Sequence, residues 1–290
     1  MSEHVLSGPQ PRALPGTRGG FVRRWARNPW RRPTILATVT WGYIAWSLLP
    51  LVIAIAVSFN ASRSSSSVHL FSLQWWWTDP SDSLLHDPEL HSAVIQSLKL
   101  SLSTMVIAVP MGVAFALGID RWRGRAAAGA NFVMLLSFVM PEIILGLALF
   151  FVFSFLLKFV PLGTPAQILG LVTFQLSYPV IIVRARLLSI GKDYEEAAMD
   201  LGATYPSTLR LVLIPIALPA IASAFITAFT VSFDEFALAL FLAGKDPTFP
   251  VYLYGQLRFA TTLPVLIAAA VLLMAVSLAL ILVADRIRRR

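Results

Sequence analysis

Three carboxylates lie within long apolar stretches of this 290-residue chain: Glu142, Asp234 and Glu235. A carboxylate in hydrocarbon costs at least about 2.5–3.5 kcal/mol on insertion scales, so it usually faces a polar pathway or a partner. Glu142 follows Pro141, which predicts a helix break with the carboxylate at the start of the continuing helix, as a cap, a solute contact or both. Asp234 and Glu235 are adjacent and point about 100° apart on an unbroken helix. Only one of them could then face a given cavity well, and we favour Asp234.

Three acids without a basic residue deep in the same stretches would suit a cationic solute. Ammonium groups can exchange water for carboxylates and for the faces of aromatic rings, and the rings available are those of Phe138, Tyr178 and Phe233. The carboxylates could instead serve an intramembrane hydrolase, but no motif that would orient a nucleophile accompanies them. All four histidines lie outside the apolar stretches and the chain has no cysteine. The sequence therefore predicts no metal site and no catalytic residue.

The elements that position these acids are predicted to be membrane-spanning helices. The chain is 57% hydrophobic and only 13% charged, with a mean hydropathy of +0.74, whereas a soluble domain carries about 25% charged residues. A helix needs about 20 residues to cross the hydrocarbon of a bilayer. We predict an all-α polytopic fold with six spans, at about 35–59, 94–119, 132–157, 168–188, 216–242 and 263–284.

Charge sets the predicted orientation of these spans. Eighteen of the 23 Lys and Arg residues lie in the two termini and in the loops after the second and fourth spans. Because cytoplasmic loops carry the excess of basic residues, both termini are predicted to be cytoplasmic. Topology and the lipid bilayer then account for the net charge of +8, and no nucleic-acid partner is expected. Residues 1–33 are predicted to be a disordered basic tail and residues 34–290 a single six-helix domain.

An outward loop at about 60–93 contains three consecutive tryptophans, Trp75, Trp76 and Trp77. They could form a ligand-stacking box, but an aromatic belt at the level of the lipid headgroups is the better interpretation. Asp87 and Pro88, near the end of this loop, are typical of a helix start.

The inward segment at about 189–215 carries a second polar pattern. Asp193 precedes a helix whose carboxylates fall in the first turn, and Gly202 is expected to end that helix. On the helix, Glu196 and Asp200 share a face, beside small or apolar residues at Ala197, Ala198 and Leu201. Small residues let another protein approach closely, and the acids offer charges to bind. We therefore predict a rigid docking helix that transmits motion, followed by a short helix at Pro206 and backbone breaks at Pro215 and Pro219.

The spacing within this segment carries a family resemblance. The segment follows the pattern EAA-x3-G-x9-I-x-L-P. It has Glu196-Ala197-Ala198, then Gly202 separated by nine residues from Val212, then Ile214-Pro215, with conservative changes at Val212 and Ile214. This resembles the EAA loop of the integral-membrane permease subunits of binding-protein-dependent ABC importers. The stretches MPEIILGLA at 140–148 and SFDEFALALF at 232–241 are similar to motifs of the spermidine/putrescine permease class.

The resemblance implies a type I importer permease fold in a bacterial inner membrane. The inward helix would then be a coupling helix seated in a cleft of an ATPase, with contact or shaping roles for Glu195, Glu196, Ala197, Ala198, Asp200, Leu201, Gly202, Ala203 and Pro215. The implied partners are a cytoplasmic ATPase dimer that holds ATP and Mg²⁺, a second and different permease subunit, and an extracytoplasmic substrate-binding protein. This chain itself would bind no cofactor.

The acids and the resemblance together indicate polyamines as the solutes. The resemblance implies that the transporter moves them by alternating access. Opines, betaines and aminophosphonates remain open, because related permeases carry them. A channel or secondary transporter is the alternative class, but it would leave a docking helix without a role.

Overall fold

The computed structural model describes residues 34–62, 71–78, 83–121, 124–258 and 263–288, so the predicted tail at 1–33 lies outside the described residues. The described residues are almost entirely helical, as the sequence predicts, and their β-pairing consists of one isolated bridge between Asn60 and Phe71. The chain divides into two units, Met1–Ile53 and Ala54–Arg290.

Twelve α-helices and three π-helical turns follow one another in the described residues. The helices are α1 Thr34–Ser58, α2 Pro88–Arg121, α3 Arg125–Val139, α4 Glu142–Phe151, α5 Thr164–Gln175, α6 Ser177–Ile190, α7 Asp193–Asp200, α8 Tyr205–Thr208, α9 Ile214–Asp234, α10 Ala237–Leu242, α11 Phe249–Gln256 and α12 Leu263–Arg288. The π turns are Gln74–Thr78, Val152–Leu156 and Leu209–Leu213.

Within the described residues, four helical runs are long and apolar enough to cross a membrane. They are Ile35–Ser58, Pro88–Ile119, Thr164–Ile190 and Tyr205–Asp234. A fifth crossing is possible if Arg125–Val139 and Glu142–Leu156, which meet at an angle of 108°, form one broken span. The apolar stretch described in α12, Pro264–Ala279, is shorter than these runs, so the count of six spans stays a prediction.

Two boundaries follow from local chemistry. α2 begins at Pro88 because a carboxylate oxygen of Asp87 accepts the N–H groups of Glu89 and Leu90, both at 3.0 Å. This cap extends the second span six residues further than the apolar run indicates. The predicted break at Pro141 is confirmed, since α3 ends at Val139 and α4 begins at Glu142.

The core of the second unit forms where α2, α6 and α9 pack on one another. Small residues line these contacts, as is usual where helices associate in a bilayer. A Cβ atom added to Gly112 of α2 would lie 2.5 Å from Cγ of Pro179 in α6. Ala224 and Ala228 of α9 are fully buried beside Val109 of α2. The three helices therefore approach one another almost backbone to backbone.

A polar network joins the start of α5 to the loop before α11. Gln96 donates to the Thr164 hydroxyl and to the Gln167 side-chain oxygen, each at 2.9 Å. Thr164 in turn donates its N–H (3.1 Å) and its hydroxyl (2.9 Å) to one carboxylate oxygen of Asp246. These two hydrogen bonds, the backbone one first, hold the pKa of Asp246 below its ordinary value. The network joins α2, the start of α5 and the loop between α10 and α11.

The three tryptophans occupy different environments, and only one of them is exposed as an aromatic belt predicts. Trp75 is 1% exposed, donates its indole N–H to the Asn60 carbonyl at 2.7 Å, and packs against Val265 and Ala268 of α12. Trp76 donates to the Ser58 carbonyl at 3.1 Å. Trp77 is exposed, as an interfacial residue requires. Trp75 is thus a buried anchor for its loop, a role that neither sequence interpretation anticipated.

Candidate functional site

The inward segment forms the helix that its sequence predicts. α7 covers Asp193–Asp200 and carries three carboxylates in its first turn, where the helix dipole favours negative charge. The N–H groups of Glu195 and Glu196 both bond to the Lys192 carbonyl at 2.9 Å, which fixes the start of the helix. No residue of α7 is buried.

Gly202 ends this helix through backbone geometry. Its φ of +88° lies in the left-handed region, and its N–H donates to the Met199 carbonyl at 2.9 Å. The Ala203 N–H reaches back to the Ala198 carbonyl at 3.0 Å. This pair of bonds is the Schellman arrangement, which favours glycine because a Cβ is disfavoured at that φ. The prediction that Gly202 terminates the helix is confirmed.

The surface around α7 combines charge with exposed apolar side chains. Leu201 is 90% exposed and Tyr194 57% exposed. The carboxylate-bearing Glu196 and Asp200 and the small Ala197 are also exposed, whereas Glu195, Ala198 and Ala203 are half-buried. An apolar side chain as open as Leu201, beside acids on a short helix, is the arrangement expected of a protein-binding surface.

A continuous helical run leads away from this surface. α8 begins at Tyr205 with Pro206 in its first turn, as predicted, and the π turn Leu209–Leu213 connects it to α9. Pro215 lies in the first turn of α9, where a missing N–H costs little. The predicted breaks at Pro215 and Pro219 are both wrong, because the helical run Tyr205–Asp234 continues through the two prolines. The helix that contains Pro219 packs along α2 and α6.

The predicted fifth span breaks at its pair of acids. α9 ends at Asp234, Glu235 has extended backbone angles (φ −67°, ψ 117°), and α10 begins at Ala237. Asp234 is exposed within this chain, whereas Glu235 is only 5% exposed. A carboxylate oxygen of Glu235 accepts the Leu238 N–H at 2.9 Å and thereby caps α10. The adjacent acids therefore occupy different environments.

The second broken helix brings Glu142 close to this one. Met140 and Pro141 are extended, with ψ of 134° and 129°, and Glu142 is exposed on the first turn of α4. Glu142 lies near enough to act electrostatically on Glu235 and on the Tyr178 hydroxyl. Two carboxylates and a phenol from three separate helical elements thus gather where two helices are interrupted.

Two of the three predicted aromatic residues are in contact beside these groups. The rings of Phe138 and Tyr178 meet edge to face with centroids 5.4 Å apart. Phe233 is 8% exposed and stacks on Phe229 at 6.0 Å instead. The geometry therefore groups Phe138 with Tyr178 and places Phe233 within the packing of α9.

Buried polar and small residues that sequence reasoning missed support this region. The Gln175 amide and the Ser232 hydroxyl lie 2.6 Å apart, and both residues are buried. They join the end of α5 to α9 one turn before the break. Gly146 of α4 lets α10 approach, since a Cβ there would lie 3.3 Å from the Leu238 Cα. A polar residue or a glycine within an apolar span is the signal that could have found them.

Comparison with solved structures finds the same fold in chains of ABC transporters. A chain of a bacterial ABC transporter that imports the acidic polysaccharide alginate superposes with a TM-score of 0.72 at 17% identity, covering 93% of this chain and 98% of that one. A chain of the inward-facing MetNI methionine ABC transporter gives 0.54 at 22% identity, over 69% of this chain and 93% of that one. At these identities the likeness shows the fold alone.

Sequence comparisons identify the family. The putrescine transport system permease protein PotI of Escherichia coli K12 is 30% identical over 260 residues, which are 87% of this chain and 88% of the relative. The spermidine/putrescine transport system permease protein PotC of Haemophilus influenzae is 28% identical over 247 residues, which are 85% and 93%. The family model for the inner membrane component of binding-protein-dependent transport systems matches residues 108–290. The chain therefore belongs to this family and is a multi-pass permease subunit of a binding-protein-dependent importer.

Proposed function

We propose that this permease forms half of the translocation pathway of an ATP-driven polyamine importer. The observation that carries the choice of solute is that two exposed carboxylates, Glu142 and Asp234, lie at two helix breaks, with the Tyr178 ring near Glu142. Several carboxylates near aromatic rings suit a solute with more than one ammonium group. The names of the relatives, putrescine and spermidine/putrescine permeases, agree with this choice.

The rest of the assembly follows from the same proposal. The chain would cross a bacterial inner membrane six times with both termini in the cytoplasm and would pair with a second, different permease subunit. A binding protein would deliver the solute from outside, and an ATPase dimer on the cytoplasmic side would hold ATP and Mg²⁺. Hydrolysis would then belong to that partner, and this chain would carry no catalytic residue, metal or cofactor.

Coupling is assigned to α7 and the residues that shape it. Under this proposal the ATPase is contacted by Glu195, Glu196, Ala197, Ala198, Asp200 and Leu201. Gly202 and Ala203 fix the end of the helix, and Pro215 fixes the start of α9. Alternating access would follow from movement of α7, because the helical run Tyr205–Asp234 begins three residues after Gly202. At 30 residues it is about 45 Å long and ends at Asp234.

The coupling role can be tested by reversing one charge. Glu196→Lys is expected to lower the amount of solute moved per ATP hydrolysed in proteoliposomes that contain the complete transporter, while the subunit still inserts. Asp193→Lys is the matched control, because it makes the same charge change in the same helical turn outside the EAA pattern. Normal coupled transport by Glu196→Lys would refute the docking role.

The pathway role can be tested at Asp234. A hydrogen bond to a charged group contributes about 1.5–3 kcal/mol, so Asp234→Asn is expected to raise the KM for labelled spermidine about tenfold or more without changing assembly. Glu89→Gln, an exposed acid at the start of α2, serves as the control. Competition by putrescine but not by an opine or a betaine would identify the solute as a polyamine. Unchanged uptake kinetics would remove Asp234 from the pathway.

A further inference from the structure

The break between α9 and α10 separates two helices that have different main neighbours. α9 packs chiefly on α2 and α6, whereas α10 packs on α4 and α5; α5 also contacts α2 and α9. The two residues at the break, Glu235 and Phe236, form the chain connection between these two helices within the predicted fifth span. A displacement of α9 relative to α10 would have to be absorbed at these residues.

α10 is held firmly by its own neighbours. A Cβ added to Gly146 of α4 would lie 2.9 Å from the Phe241 ring, and one added to Gly170 of α5 would lie 2.5 Å from a Leu242 methyl. Leu238 and Leu242 are fully buried in the same cluster. Such close contacts leave α10 little freedom to move apart from α4 and α5.

Glu235 stabilises the start of this short helix. The first N–H groups of a helix have no partner within it, and leaving a buried one without a partner destabilises the helix. The Glu235 carboxylate supplies one such partner at Leu238. The side chain is nearly inaccessible in this chain, whereas its neighbour Asp234 is open.

We propose that Glu235 is a positioning residue that acts through the backbone rather than by touching the solute. By capping α10, it fixes α10 on α4 and α5 and leaves the junction with α9 as the hinge. Movement that arrives along α9 then shifts Asp234 relative to Glu142 while α10 stays in place. This inference rests on the proposed function, and it divides the adjacent acids into one that holds the hinge and one that moves with the driven helix.

The chemistry of the cap separates this role from a solute contact. A glutamine side chain keeps an oxygen that can accept the Leu238 N–H, but it has no negative charge. If capping is the role, Glu235→Gln should largely rescue what Glu235→Leu loses. If Glu235 binds the ammonium group itself, glutamine should fail much as leucine does.

The first experiment measures uptake of labelled spermidine by the complete transporter in proteoliposomes. We expect Glu235→Leu to lower the maximal rate at least tenfold with little change in KM, and Glu235→Gln to stay within about threefold of the parent. Asp234→Asn should instead act mainly on KM. A Glu235→Gln variant that raises the KM as Asp234→Asn does would overturn the positioning role.

The second experiment measures distances across the hinge with spin labels. This chain has no native cysteine, so labels on it attach only at introduced cysteines. Spin labels on cysteines that replace Leu218 and Leu240, both exposed within this chain, would span the break. A pair at Leu211 and Ile226, about 22 Å apart along one helical run, is the matched control. Double electron–electron resonance is recorded with and without ATP in a hydrolysis-deficient ATPase.

We expect the distance across the break to change by several ångströms between the two states, while the control distance stays constant. In Glu235→Leu the distance across the break should broaden in both states. A distance across the break that stays fixed in a transporter that imports spermidine would overturn the hinge. If the parent transporter imports no polyamine, the proposed solute is wrong, and the distance measurement still decides the hinge.

Discussion

Gly202 offers a direct test of the coupling surface, because the cost of substituting it comes from the backbone alone. Its φ is +88°, and a Cβ added there would meet nothing within 4 Å. A non-glycine residue in the left-handed conformation costs about 1–2 kcal/mol, whereas asparagine tolerates it better and a β-branched residue tolerates it least. The expected order of disturbance is therefore asparagine, then alanine, then valine.

This cost sets the expected size of the effect on ATPase binding. The relevant equilibrium is between the loop with its Schellman hydrogen bonds and loops that have lost them. A cost of one to two kcal/mol shifts this equilibrium by about 5–30-fold. When only a fraction of molecules is competent to bind, the apparent Kd rises by the inverse of that fraction. Gly202→Ala should therefore weaken ATPase binding by about 5–30-fold once the competent fraction becomes limiting.

The assay titrates the ATPase onto membranes that contain the permease pair and follows the ratio of solute moved to ATP hydrolysed. Excess ATPase should partly restore uptake by Gly202→Ala, because the substitution reduces the fraction of molecules that can bind the ATPase. Gly124→Ala is the control, since Gly124 also has a positive φ (+134°) and open space around it but lies in another predicted inward loop. The reasoning would be refuted if Gly202→Asn were as impaired as Gly202→Ala, or if Gly124→Ala weakened ATPase binding equally.

Two further predictions concern stability, both measured by equilibrium unfolding in detergent. Gly112→Ala places a Cβ within 2.5 Å of the Pro179 ring, and such overpacking is expected to lower the free energy of unfolding by about 1–3 kcal/mol. Gly118→Ala on the same helix is the control, because its Cβ would meet nothing within 4 Å. Equal stabilities of the two variants would contradict the close packing at Gly112. Hydrogen bonds from Thr164 lower the pKa of the Asp246 carboxyl in the folded protein. The ionised carboxylate therefore stabilises the fold above the ordinary carboxyl pKa of about 3.9, and this contribution is lost as the pH falls through the lower folded pKa. Asp246→Asn should therefore lose less stability than the parent between about pH 5 and 2, with Thr164→Val intermediate, and parallel pH profiles would exclude this contribution.

The coupling segment was predictable because its geometry is local. The carboxylates in the first turn of α7, the glycine that ends it and the proline that begins α8 each act within four or five residues along the chain. Interactions of that range are encoded by residue order and need no knowledge of distant contacts. The same holds for the Asp87 cap and the break at Pro141, both of which the structure confirms.

Predictions that depend on distant packing were less successful. Pro219 lies in an unbroken helix that packs on α2 and α6, although the residue alone favours a break. Trp75 anchors its loop through a carbonyl fifteen positions away and through α12. The hydrogen-bonded pair of Gln175 and Ser232 joins residues 57 positions apart. No local pattern specifies which of these partners will meet.

The sequence by itself determined that this chain is apolar enough for a bilayer, that a short acidic helix interrupts it, and that three carboxylates lie within its apolar stretches. Only the tertiary structure decided that Glu235 is buried and caps α10 while Asp234 is exposed. Because Asp234 and Glu235 are consecutive, they share almost the same neighbouring sequence, and no sequence pattern distinguishes their environments. Asp234 ends α9, whereas Glu235 precedes α10, which packs on α4 and α5, and that difference arises only when separate helices pack together.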